Sequence, residues 1–101
     1  MGSSDATKEF REPAEFGAPV VLYVTDTCGY CRMAEGLLRR REIAFVAVDV
    51  TDAPEARAWL VEATGRRTVP QIFVKGRSVG GFTELAAMDR SGALAAALAG
   101  P

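Results

Sequence analysis

An unbroken apolar run, Val20–Val24, is followed by a helical apolar pattern and then by a second apolar run that ends at Val50. This succession constrains the chain more than any other feature. A short continuous apolar stretch reads as a buried strand, here residues 20–25. Met33, Ala34, Leu37 and Leu38 recur at helical spacing, so residues 29–41 read as a helix. Arg39, Arg40 and Arg41 fall in its last turn, where cations suit the helix dipole, and read as a solvated helix end. Residues 44–50 read as the second strand. Strand, helix and strand form one βαβ unit with a right-handed crossover.

The pattern continues. Asp52-Ala53-Pro54-Glu55 has the form of a capping box with an early proline, and Ala56, Trp59, Leu60 and Ala63 give the helix that follows an apolar face. Gly65 is placed to end it. Trp59 reads as packing. Residues 70–75 read as a third strand, Gly76-Arg77 as its turn and residues 78–80 as a short antiparallel fourth strand. Thr83 is expected to cap a short helix through Met88, and Ser91 a final helix over residues 92–98. The order β-α-β-α-β-β-α-α predicts an α/β fold with a central four-stranded mixed sheet and helices on both faces. Residues 1–18 are polar and punctuated by Pro13 and Gly17. They read as a flexible N-terminal leader with a short helical turn around Ala6–Arg11, and residues 19–101 as the domain.

The length, 101 residues, is that of one domain able to bury a core without metal or disulfide staples. Twelve Lys and Arg against thirteen Asp and Glu give no electrostatic case for nucleic acid or for an anionic membrane. No segment approaches the ~20 apolar residues of a bilayer span, and the start lacks the apolar stretch of a secretory signal. A cytoplasmic location is expected, and with it transient rather than structural disulfides. Histidine is absent, which excludes Ser-His and Cys-His enzymes; with two cysteines it also leaves too few ligands for a structural zinc in one chain.

Those two cysteines stand at Cys28 and Cys31, at the junction of the first strand and helix. A C-x-x-C pair there reads as redox-active, because two thiols one turn apart carry two electrons by making and breaking one S–S bond. At a helix N-terminus the unpaired N–H groups favour an anion, so the Cys28 thiol is expected to ionise below the free value of roughly 8.5. An i,i+3 pair has Cβ atoms about 5–6 Å apart, close to disulfide range. Cys31 lies deeper. Cys28 is therefore the expected nucleophile and Cys31 the resolving thiol.

Three blocks, Cys28-Gly29-Tyr30-Cys31, Thr68-Val69-Pro70-Gln71-Ile72-Phe73 and Gly80-Gly81-Phe82-Thr83-Glu84, occur in this order. Together they resemble the glutaredoxin family, of the dithiol class, over roughly residues 20–99. The resemblance implies a thioredoxin-like fold with Pro70 in a cis peptide facing the active cysteine across a glutathione groove. It implies that Val69 offers its backbone N–H and C=O to glutathione, as a strand edge does. Gly81, beside Gly80, would let the backbone approach the ligand. Thr83 would open a helix whose N–H groups take the γ-glutamyl carboxylate, and Glu84 would face the γ-glutamyl amine. Tyr30, Thr68 and Phe82 would line the groove, and Arg67 would reach the glycine carboxylate. Taken alone, each residue has a plainer reading: Gly80-Gly81 a turn, Thr83 a cap, Pro70 a trans edge-strand proline, Tyr30 an exposed aromatic, and Arg66-Arg67 solvated cations.

The sequence departs from the family pattern at three positions. Thr25, followed by Asp26, stands where a lysine is usual, so a less acidic Cys28 and weaker glutathione binding are expected. Gly29 replaces the proline of the motif, which loosens the loop. Glu84 replaces an aspartate. The function the resemblance implies is a glutathione-dependent thiol–disulfide oxidoreductase acting on glutathione mixed disulfides and protein disulfides, as a monomer, with glutathione as co-substrate. Two alternatives stay open. Gly29 also suits a [2Fe–2S] carrier in which Cys28 of two chains and two glutathiones hold the cluster, and C-G-Y-C also resembles mycoredoxins, which use another low-molecular-weight thiol.

Overall fold

The structure is a computed structural model and describes residues 6–100. Four strands and four helices follow in the expected order. They are β1 (Val20–Val24), α1 (Gly29–Arg40), β2 (Phe45–Asp49), α2 (Pro54–Thr64), β3 (Gln71–Val74), β4 (Arg77–Gly80), α3 (Phe82–Ser91) and α4 (Ala93–Ala99). The strands form one mixed sheet in the order β2-β1-β3-β4. β1 and β2 are parallel, as the βαβ crossover requires, and β3 runs antiparallel to both β1 and β4.

Strand alternation divides the core in two. Side chains of a strand point to opposite faces in turn. Val20, Leu22 and Val24 of β1 join Ala47, Ile72 and Val74 on one face, against Cys31, Ala34, Leu37 and Leu38 of α1, Leu85 of α3 and Leu94 of α4. Val21 and Tyr23 join Val48, Val50 and Phe73 on the other face, under Ala56 and Leu60 of α2. All five residues of β1 are buried because helices cover both faces, which is why this strand is uniformly apolar. Leu22, Leu38, Ile72, Leu85 and Leu94 are almost wholly shielded, and each burial contributes about 2 kcal/mol.

Turns follow local chemistry. The β3–β4 hairpin closes through Lys75 and Gly76, both at positive φ (52° and 82°), the pattern whose twist matches paired strands. Arg77 therefore belongs to β4 and not to the turn. Helix α1 ends differently from its sequence pattern. Glu42 takes the left-handed conformation (φ 57°) usually held by glycine, and the N–H groups of Glu42 and Ile43 bond to the carbonyls of Arg39 (3.0 Å) and Leu38 (2.9 Å). The arginines before it are not simply solvated. Arg41 makes a two-pronged ion pair with Asp89 of α3, at 2.9 Å on both prongs, and the Arg39 guanidinium lies 5.4 Å from the Phe45 ring centroid.

Capping differs from expectation at three helices. Ala53 is the N-cap of α2 and makes no side-chain bond, so the Asp52–Glu55 box is not formed; Asp52 lies one residue too early. Gly81, not Thr83, caps α3, which runs on to Ser91. Gly92 caps α4, with Ser91 Oγ accepting the N–H of Ala93 at 3.3 Å.

The N-terminal segment is the largest correction. Residues 1–5 of the expected leader lie outside the described residues. From Thr7 onward it is docked rather than loose, and the helical turn expected at Ala6–Arg11 is absent. Thr7 forms a parallel bridge with Val48, exchanging hydrogen bonds with Ala47 and Asp49 at 2.9 and 2.7 Å. Pro13–Phe16 form one 3-10 turn. Phe10 and Phe16 pack on the α2-side core, where Phe10, Tyr23, Trp59 and Phe73 form an aromatic cluster with centroid spacings of 5.6–6.0 Å. The buried Tyr23 hydroxyl donates to the Arg11 carbonyl, and burial, reinforced by Glu12 and Glu15, pushes its pKa well up. Polar composition concealed this docking because two phenylalanines and one backbone ladder carry it.

Candidate active site

Cys28 is the N-cap residue of α1, in extended conformation (φ −96°, ψ 109°). Its Sγ accepts the backbone N–H of Cys31 at 3.0 Å, so a reduced thiolate there would receive one of the helix's unpaired donors. Cys28 is partly exposed, whereas Cys31 is fully buried against the core. The two are joined as a disulfide. That asymmetry is what stepwise exchange needs: one sulfur reachable from solvent and one reachable only from its neighbour.

Val69 lies opposite. Its carbonyl oxygen is 3.7 Å from Cys28 Sγ, and the Val69–Pro70 peptide is cis, as expected. Beside this pair opens a cleft of about 140 Å³. Thr68, Val69 and Pro70 form one wall; Gly81, Phe82, Thr83 and Glu84, at the start of α3, form the other; Tyr30 closes the end near the cysteines. The rings of Tyr30 and Phe82 sit 6.2 Å apart, and Tyr30 is 62% exposed, so it is a groove wall open to solvent and not a core aromatic. A Cβ on Gly81 would come within 3.4 Å of the Pro70 carbonyl, so glycine there keeps the two walls apart.

Arg67 is the one expected groove residue that the structure puts elsewhere. Arg66 lines the cleft, with its guanidinium 3.8 Å from Glu84 Oε1, and also borders a larger cleft of about 480 Å³ against Pro54, Arg57 and Val61 of α2; Arg67 borders only the larger one. Two adjacent arginines in a loop carry no local signal that distinguishes them. Gln71, a buried polar residue of β3, donates from its side chain to the Arg66 carbonyl at 2.8 Å and ties this loop to the sheet.

Glu84 lines the cleft and also caps a helix. Its Oε1 accepts the N–H of Gly81 at 2.8 Å, closing the start of α3, and that bond, with help from Arg66, holds its carboxyl below the ordinary range. The first residues of α3, Phe82, Thr83 and Glu84, line the cleft. Among the described residues no group of three or more Cys, His, Asp or Glu is placed to hold a metal ion, and no helix is long and apolar enough to cross a membrane.

The model of the family named Glutaredoxin matches residues 20–79, more than half of the chain, including both cysteines and the cis proline. The chain belongs to the glutaredoxin family. A glutaredoxin of Pseudomonas aeruginosa is 42% identical over 80 residues, covering 79% of this chain and 95% of that protein. Glutaredoxin 3 of Escherichia coli is 35% identical over 77 residues, covering 76% and 93%. Among solved structures, a buckwheat glutaredoxin–glutathione complex is similar with a TM-score of 0.78 at 27% identity, covering 82% of this chain and 78% of that one. The solution structure of glutaredoxin from Brucella melitensis is similar with a TM-score of 0.71 at 38% identity, covering 80% and 88%. The fold is thus the thioredoxin-like one of the glutaredoxins, and the protein is a thiol–disulfide oxidoreductase with a redox-active cysteine pair.

Two further residues, Arg32 and Glu35, stand beside the cysteine pair in α1. Arg32, directly after Cys31, donates from Nη2 to the Thr25 carbonyl at 3.3 Å and to Glu35 Oε2 at 3.2 Å. A glutamate on the buried stripe of α1 was the available signal.

Proposed function

We propose that this glutaredoxin reduces glutathione mixed disulfides and, through its second cysteine, protein disulfides, with glutathione as the reductant. The observation that carries this reading is the position of Cys28 Sγ, at the N-cap of α1 and 3.7 Å from the Val69 carbonyl, at one end of a cleft with a strand edge on one wall and a helix start on the other. A γ-glutamyl-cysteinyl-glycine tripeptide has the matching groups: a peptide backbone for Val69, a carboxylate for the N–H groups of α3, and a second carboxylate for Arg66.

The Cys28 thiolate attacks the glutathione sulfur of a mixed disulfide. The target leaves as a thiolate and takes up a proton, and Cys28 carries glutathione. The thiolate of a second glutathione attacks that sulfur, Cys28 is released and the glutathione disulfide departs. With a protein disulfide, Cys28 bonds to one target sulfur, Cys31 attacks Cys28 Sγ, and the target leaves fully reduced. Glutathione then returns two electrons to the Cys28–Cys31 disulfide.

The test is glutathione-coupled reduction of a glutathionylated peptide by the wild type, Cys28→Ser and Cys31→Ser, with a mycothiol mixed disulfide run in parallel. Cys31→Ser is expected to keep deglutathionylation and Cys28→Ser to lose it. Full activity in Cys28→Ser, or turnover only with the mycothiol substrate, would overturn the reading.

A further inference from the structure

The larger cleft beside α2 takes no part in the reaction proposed above. Its volume is about 480 Å³, against about 140 Å³ for the groove. Among the described residues that line it, Arg57, Arg66 and Arg67 are cationic and none is acidic. The chain as a whole has thirteen acidic residues to twelve basic ones, so this gathering of cations is local. Arg66 is engaged by Glu84 at 3.8 Å. Among the described residues, neither Arg57 nor Arg67 makes an ion pair. Glu55 and Glu62, two residues before and five after Arg57, fall on other sides of α2. Asp26, Asp49 and Asp52 gather in a separate cleft of about 80 Å³.

This cationic cleft is continuous with the active site. Val69 lines both it and the groove, and the Val69 carbonyl oxygen is 3.7 Å from Cys28 Sγ. Arg67 stands two residues before Val69, within about 7 Å along the chain. A polypeptide joined to Cys28 therefore reaches the arginines within its next few residues. Glutathione is too short to do so. In the placement proposed above, its γ-glutamyl carboxylate takes the start of α3 and its glycine carboxylate stops at Arg66. A target peptide whose cysteine replaces that of glutathione runs the same way, and the residues after its cysteine pass Arg66 and enter the cleft.

We propose that the cleft receives acidic residues that follow the reactive cysteine in protein-disulfide substrates, with Arg57 and Arg67 as the recognition pair. Guanidinium groups bind carboxylates through two parallel N–H···O bonds, and a cationic cleft also draws an acidic segment in during encounter. The floor between the arginines is apolar, from Pro54, Ala58 and Val61, which suits the aliphatic stems of a peptide. No aromatic side chain lines it on which a nucleic-acid base could stack.

The direction of the peptide rests on the glutathione placement proposed above, but the test needs no glutathione. Reduced protein is mixed with symmetric disulfides of short one-cysteine peptides, in which either sulfur gives the same product. Acid-quenched samples give the second-order rate. One peptide has three glutamates after the cysteine, a second has glutamines there, and a third has the glutamates before the cysteine. The first is expected to react about tenfold faster than the second at low salt, with an advantage that shrinks as salt is raised. The third is expected to match the second within about twofold. Arg57→Gln and Arg67→Gln are each expected to remove about threefold of the advantage and to leave the glutamine peptide within about twofold of its wild-type rate. Equal rates for the first two peptides, an advantage that ignores the position of the glutamates, or one that survives in the double variant overturns the proposal. The peptide series on the wild type decides even where a variant does not fold. A short oligonucleotide that suppresses the glutamate reaction at lower concentration than a cysteine-free glutamate peptide does would assign the cleft to nucleic acid and overturn the proposal as well. The two readings fail separately. An intact glutathione-coupled assay with no glutamate preference sinks this inference alone, and a lost coupled assay with the preference intact sinks glutathione as the reductant alone.

Discussion

Glu84 Oε1 accepts the backbone N–H of Gly81 at 2.8 Å, so the carboxylate that borders the groove also closes the first turn of α3. Gly80, just before, has φ 109°, and a Cβ there would meet the Glu84 side chain at 2.9 Å. The two glycines and the glutamate are one structural unit: the chain must pass close to the carboxylate to be capped by it.

This unit sets a pH dependence. The Glu84 carboxyl is held below its ordinary value of 4.5, first by the Gly81 bond and also by Arg66. A group depressed on folding contributes stability above its unfolded pKa and loses it as pH falls through the folded one. The Gly81 amide resonance is expected to titrate with a midpoint below 4.5, with hydrogen-exchange protection at the start of α3 falling over the same range. A midpoint at or above that value would mean the cap does not form in solution.

The adjacent arginines separate by position. Arg66 lines both the groove and the larger cleft beside α2, whereas Arg67 lines only the larger cleft. Arg66→Ala is expected to raise KM for a glutathione mixed disulfide about fivefold, the loss of roughly 1 kcal/mol from one exposed charge-assisted contact. Arg67→Ala is expected to stay within twofold. Steady-state kinetics on both variants decides, and the reverse order would return the role to Arg67.

Glu42 ends α1 in a left-handed conformation at φ 57°, which disfavours any residue with a Cβ. Glu42→Gly is expected to raise stability by about 1 kcal/mol, read as an upward shift of the urea midpoint with unchanged slope. A lower midpoint would show that the Glu42 side chain contributes more than its backbone loses.

Docking of the N-terminal segment can be weighed against the bulk core. Tyr23→Phe removes the bond to the Arg11 carbonyl and is expected to lower stability by about 1 kcal/mol. Trp59→Ala opens the aromatic cluster shared with Phe10, Tyr23 and Phe73, and about 3 kcal/mol is expected. Urea unfolding measures both. A neutral Tyr23→Phe would mean that segment 6–18 does not stay docked.

Most of the sheet was legible from sequence because its signals are local. An unbroken apolar strand, one helical stripe and one hairpin dictate β1, α1 and β3–β4, with ends shifted by a residue or two. The cysteine pair and the Thr68–Pro70 and Gly81–Glu84 blocks were equally legible, since each is contiguous. What escaped depends on contacts between distant segments. Thr7 meets Val48 through chain folding that no local pattern encodes. Which of Arg66 and Arg67 borders the groove depends on how the loop before β3 packs between α2 and α3, which adjacent identical letters do not encode. The burial of Glu35 beside Arg32 leaves no mark on periodicity beyond one charged letter on an apolar stripe.

The bridge from Thr7 to Val48 has a consequence for handling the protein. β2 is a terminal strand of the sheet, and the bonds from Thr7 occupy backbone groups that would otherwise face outward. Bare strand margins invite pairing with other molecules. A recombinant chain trimmed to begin at Pro19 would keep the cysteine chemistry intact and yet become sticky, forming dimers or precipitate through β2.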